Sequence, residues 1–205
     1  IRDKLVTGVQ TCALPISRFA VRATSASKSS GAAKTTCPTC RSMPEVFVAA
    51  GSNVEPVKNL KLALAELDES FAPLRVSPAY RNRAVGFEGE DFINLVVGFS
   101  TQLDIHSVRA RLQEIEGRCG RPRHAPKWAP RSMDLDILLY GDEVRDEPDL
   151  KLPRPDLVRR AYMLKPMADI APNLRHPTLG KTMRELWSDF EGKDHTMTAV
   201  ELSND

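Results

Sequence analysis

The 205-residue chain carries 29 basic and 27 acidic side chains, and its net charge of +2 selects no polyanionic partner. With 41% hydrophobic and 27% charged residues it has the make-up of an ordinary soluble domain, long enough to bury one core. No apolar run approaches the ~20 residues of a membrane-spanning helix, so no membrane partner is expected.

Residues 1–42 stand apart from the rest. Arg22 to Ser42 is small, polar and without periodicity, the composition of a disordered segment. The apolar run Val9 to Ile16 is too short and interrupted for a signal peptide. Ala13-Leu14-Pro15-Ile16-Ser17 back-translates to a common sequencing-adapter string, which makes Ile1 to about Ser17 read as an assembly artefact. An Arg- and Ser-rich organellar transit peptide is the competing account. The expected organisation is a disordered or spurious leader, 1–42, then one cytoplasmic domain, 43–205. Cys37 and Cys40 have the spacing of a zinc half-site or redox pair, but no second pair follows and they read as incidental.

From Met43 onward the elements follow one another closely. Glu45 to Ala50 reads as a central strand running into the tight turn Gly51-Ser52-Asn53. Pro56 suits the first turn of a helix, on which Val57, Leu60, Leu64 and Leu67 form an apolar stripe. Leu74 to Tyr80 predicts a second strand, placed near an edge by Pro78. Asn82 to Asp91 predicts a loop, and Phe92 to Phe99 a third strand on which Asn94 shares a face with Phe92. Asp104 can cap a second helix whose core stripe is Ile105, Val108, Leu112 and Ile115. Gln113 and Glu116, three apart, share a different face of it.

Then comes the most informative stretch. From Gly117 to Met133 there is no acidic residue, while Arg118, Arg121, Arg123, His124, Lys127 and Arg131 stand among glycine and prolines that prevent a helix. This basic loop feeds the apolar strand Asp134 to Tyr140. Residues i and i+2 of a strand share a face, so Asp134 and Asp136 point together, roughly 7 Å apart. Two carboxylates at the start of an apolar strand are costly to bury unless protonated, hydrogen-bonded or neutralised by a cation, and Mg²⁺ with its water and phosphate oxygens is the natural partner. A solvated loop beside turn-capping aspartates is the plainer alternative. Beyond it, Gly141 to Val144 predicts a hairpin or strand exit, Leu152 to Asp156 a rigid extended segment, Leu157 to Met167 a short helix and Thr182 to Phe190 a last one. This order predicts an α+β, ferredoxin-like split-βαβ sandwich. Its helices pack on one face of an antiparallel sheet, leaving the other to loops and ligand.

The run Lys127-Trp128-Ala129-Pro130-Arg131, then Asp134-Leu135-Asp136-Ile137-Leu138, resembles position for position the signature of the 6-hydroxymethyl-7,8-dihydropterin pyrophosphokinases. Gly51-Ser52-Asn53 after the first strand agrees with it, and the resemblance spans residue 46 to about 190. It implies an enzyme of folate biosynthesis that transfers pyrophosphate from ATP, as co-substrate, to the pterin alcohol and releases AMP. It further implies two Mg²⁺ ions on Asp134 and Asp136, with Arg121 and Arg123 reaching the phosphates as catalytic groups. For the pterin it implies Phe92 and Tyr162 as the two apolar faces, Asn94 as the amide reading the edge, and Gly51, Ser52 and the loop from Asn82 to Val85 as backbone contacts. For the nucleotide it implies Gln113, Glu116, Trp128, Arg131, Ile137, Arg154 and Arg160. The expected partners are these small molecules alone, on a monomer without nucleic acid. The chain departs from the pattern at Arg154-Pro155, where close relatives carry His-Tyr or His-Pro; Arg keeps a cationic donor but loses a ring and a group titrating near neutrality. An RNA-binding sheet and a metal- or nucleotide-sensing domain without turnover are the competing classes.

Overall fold

The computed structural model describes residues 43–83, 90–120, 132–191 and 197–202. The expected leader lies outside the described residues, as do Val85, Arg121, Arg123, Trp128 and Arg131.

Strand β1 (Glu45–Ser52) leads into helix α1 (Pro56–Phe71), where Pro56 occupies the first turn and loses no hydrogen bond. Strands β2 (Arg75–Val76), β3 (Ala79–Asn82) and β4 (Phe92–Ser100) follow. Helix α2 (Ile105–Arg118) begins at Asp104, whose Oδ1 accepts from the amides of His106 and Ser107 at 2.9 and 3.1 Å. Strand β5 (Asp134–Tyr140) precedes a small hairpin, β6 (Arg145–Glu147) and β7 (Leu150–Leu152). A 3-10 turn (Pro155–Val158), α3 (Ala161–Ile170), α4 (Met183–Ser188) and β8 (Thr198–Val200) complete the chain.

The main sheet is antiparallel in every pairing and ordered β5-β1-β4-β3-β8, with β2 also on β4. That is the expected split-βαβ arrangement. Val46, Val48 and Ala50 of β1 and Ile93, Leu95, Val97 and Phe99 of β4 pack with the stripes of α1 and α2. The Phe71 and Phe99 rings stack there at 4.2 Å. Phe47 and Val96 face the other way, into a second core with Leu138, Leu164, Met167 and Met183. Each fully buried side chain of this size contributes roughly 1.5–3 kcal/mol, which is why both faces are held.

Four features differ from the expectation. The second strand is split, because Pro78 offers no amide and Ser77 turns its hydroxyl to the Val96 amide at 2.8 Å. Two long helices cover one face as expected, but α3 and α4 cover part of the opposite face, since Leu164, Met167 and Met183 need burial as well. The helix expected from Leu157 is a 3-10 turn followed by α3, the pieces separated at Arg159 and Arg160. Strand β8 was not expected; it pairs with β3.

Candidate active site

Register alone brings the two ends of the candidate site together. Gly51 pairs with Asp134 of β5 on one side and with Asn94 of β4 on the other. Directly paired residues point to one face and neighbouring strands lie about 4.8 Å apart, so Asp134, Gly51 and Asn94 form a row about 10 Å long. Ala49 and Asp136 pair beside that row.

Glycine is required in the middle of it. A Cβ at residue 51 would lie 2.4 Å from Asn94 Oδ1, well inside contact distance. The Asn94 amide is buried, and its Nδ2 donates to Asn82 Oδ1 at 2.6 Å. Asn82 in turn donates from Nδ2 to the Arg83 carbonyl at 2.9 Å. Phe92, two residues before Asn94, borders the same face at the start of β4. Ser52 alternates to the opposite face, where its buried hydroxyl lies 2.6 Å from the Ser132 carbonyl, so only its backbone borders the row. Tyr162, in the first turn of α3, is half-buried against the second core. Burial pushes its hydroxyl above the ordinary value, and the charges of Arg160, Asp156, Asp136 and Arg154 all act on it.

The nucleotide candidates gather next door. Gln113 and Glu116 of α2, Asp134, Asp136 and Ile137 of β5, and Arg154 line one open cleft of about 230 Å³. Glu116 Oε1 accepts from the Leu135 amide at 2.8 Å and so pins β5 between its two aspartates. The Arg154 amide donates to the Leu138 carbonyl at 2.9 Å, and its Nη1 lies 2.9 Å from Asp136 Oδ1. Arg160 lies farther along, 3.9 Å from Asp156.

The donors suit a hard cation. Asp134 and Asp136 are half-buried, line the same cleft, and one of them already holds a guanidinium where a metal would sit. Among the described residues no group of three or more His, Cys, Asp or Glu could enclose a metal. A cation here would therefore draw on water and phosphate oxygens for the rest of its shell, as Mg²⁺ does.

The sequence matches the family described as 7,8-dihydro-6-hydroxymethylpterin-pyrophosphokinase (HPPK) over residues 47–172. The chain belongs to this family. Relatives named 2-amino-4-hydroxy-6-hydroxymethyldihydropteridine pyrophosphokinase include one from Aquifex aeolicus, 34% identical over 70% of this chain and 90% of its own length. Another, from Pseudomonas aeruginosa, is 39% identical over 72% of this chain and 93% of its own. A crystal structure of Plasmodium falciparum HPPK-DHPS with pterin and p-hydroxybenzoate shares the fold at a TM-score of 0.59 and 14% identity. It aligns with 74% of this chain, which spans only 44% of that longer one.

Within this pyrophosphokinase fold, sequence reasoning missed Arg109, Asp149 and Lys151, which also line the cleft. Arg109 was discoverable, since Arg109, Gln113 and Glu116 fall at i, i+4 and i+7 on one stripe of α2. Asp149 and Lys151 carried no local signal, because the hairpin that brings them to β5 is a tertiary arrangement.

Proposed function

We infer that the chain transfers the pyrophosphoryl group of ATP to the hydroxymethyl oxygen of 6-hydroxymethyl-7,8-dihydropterin, a step of folate biosynthesis. The pterin oxygen bonds to the β-phosphorus, the α–β bridge bond breaks, AMP leaves, and the hydroxyl proton is lost. The observation that carries this reading is the cross-strand row, which sets a buried amide pair about 10 Å from a carboxylate pair. That spacing suits a small heterocycle held at one end with its alcohol reaching toward metal-bound phosphate at the other.

Asn94 presents the amide that reads the pterin edge, and Gly51 leaves room for it. Phe92 and Tyr162 supply the apolar faces, with backbone of Ser52, Asn82 and Val85 alongside. Asp134 and Asp136 would hold two Mg²⁺ ions, which when bound would neutralise the phosphates and ease deprotonation of the attacking hydroxyl. Glu116 keeps those aspartates in place through the Leu135 amide. Gln113, Ile137, Arg154 and Arg160 border the nucleotide; Arg121, Arg123 and Arg131 bring positive charge to its phosphates, and Trp128 belongs to the same nucleotide site. The chemistry needs alignment and charge neutralisation rather than a protein nucleophile. The working unit is a cytoplasmic monomer over residues 43–205.

The test is AMP formation from ATP, measured with and without hydroxymethyl-dihydropterin. AMP should appear only with the pterin, and Asp134→Ala and Asp136→Ala should each abolish it while the far-ultraviolet circular dichroism stays native. Near-normal turnover in both variants refutes the metal assignment, and pterin-independent AMP refutes the reaction.

A further inference from the structure

We propose that Arg154 is the resting counter-ion of Asp136 and gives that carboxylate up to an arriving divalent cation, so that it sets metal affinity before nucleotide binds. This rests on the assignment of Asp134 and Asp136 as metal ligands made above.

Arg154 is held at its backbone and loose at its tip. Pro153 and Pro155 flank it, and its amide is fixed on the Leu138 carbonyl. Its guanidinium reaches Asp136 through Nη1 at 2.9 Å, but its buried Nε makes no hydrogen bond among the described residues. Asp156 Oδ2 lies 3.8 Å from that Nε. The resting pose thus leaves one donor unsatisfied, with a second carboxylate within a small rotation. Leaving Asp136 costs the side chain one charge-assisted bond and allows it another.

A hard cation binds carboxylate oxygens directly and competes for the electron pairs that the guanidinium now uses. A guanidinium stays charged at every physiological pH. This chain therefore keeps a permanent positive charge against its metal ligand. Both side chains remain partly exposed, 33% for Arg154 and 25% for Asp136, and solvent screening holds the effect to roughly 2–5-fold in metal affinity.

The experiment titrates Mn²⁺ alone into nucleotide-free protein and reads unbound Mn²⁺ by electron paramagnetic resonance. Arg154→Gln should lower the Mn²⁺ Kd roughly 2–5-fold against the native chain, and Arg154→Lys should fall between them. Without metal, Arg154→Gln should melt below the native chain, and saturating Mg²⁺ should raise its Tm by more than it raises the native one. An unchanged or weaker Kd in Arg154→Gln, with Mn²⁺ binding lost in Asp136→Asn, overturns the counter-ion role and leaves the metal site standing. Mn²⁺ binding that survives Asp136→Asn overturns the metal assignment and the counter-ion role together. If Arg154→Gln does not fold, a Kd in Arg154→Lys equal to the native value overturns the proposal by itself.

Discussion

Asn94 and Gly51 show how closely the site is fitted at the scale of single residues. Replacing Asn94 by Leu leaves Asn82 Oδ1 without its donor and removes the amide offered to the pterin. It should cost about 1–3 kcal/mol in pterin binding, the penalty of unsatisfied buried partners, with ATP affinity nearly unchanged. Calorimetry with each ligand checks this; equal losses for both would mean a folding defect. Gly51→Ala forces a methyl group to 2.4 Å from Asn94 Oδ1, so the amide must swing or the strands part. The expected loss is about 1–3 kcal/mol of stability, together with weaker pterin binding, read by chemical denaturation and calorimetry. His176 gives a pH-dependent counterpart. It is buried, its Nδ1 faces the Thr178 hydroxyl at 3.2 Å, and burial lowers its pKa below the ordinary 6.5. The unfolded chain then takes up a proton that the folded chain resists. The stability this neutral ring contributes is complete above about pH 6.5 and is lost as pH falls toward the depressed folded pKa. The melting temperature should fall as pH drops below about 6.5, and His176→Gln should flatten that slope. An unaltered slope would assign the acid sensitivity elsewhere.

At the scale of elements, what could be read from the chain was what is local. Helix α2 was legible at both levels, through its cap at Asp104 and its stripe Ile105, Val108, Leu112 and Ile115, all of them buried. Strand β5 was legible through its apolar run, and its two carboxylates through the period of two. Thr182 announced α4, where it forms a capping box with Glu185. The rest depends on contacts distant in sequence. Nothing near Thr198 says that three residues will pair with β3, because two of them stay exposed and show no alternation. The Asn94–Asn82 bond and the Arg154–Asp136 ion pair exist only once the strands and the later loop have been brought together. The resemblance places Glu116 beside the nucleotide, but does not show the bond by which its carboxylate also supports β5. Glu116→Ala should therefore raise hydrogen exchange at the Leu135 amide and reduce turnover, and unchanged exchange there would remove the positioning role.

The described part of the whole molecule, residues 43–202 apart from the segments named above, builds two cores around one sheet. A chain beginning at Met43 should retain full turnover and its melting temperature. A drop of several degrees would mean that the leader docks on the domain. The position of β5 has one more consequence. It is the last strand on its side of the sheet, and such a strand is a ready template for a foreign chain to extend. Here its outward backbone is claimed from both ends, the Leu135 amide by Glu116 and the Leu138 carbonyl by the Arg154 amide. The residues that frame the cleft thereby also deny this border to edge-on polymerisation, so a strand laden with charge for chemistry is guarded against self-assembly by its own neighbours.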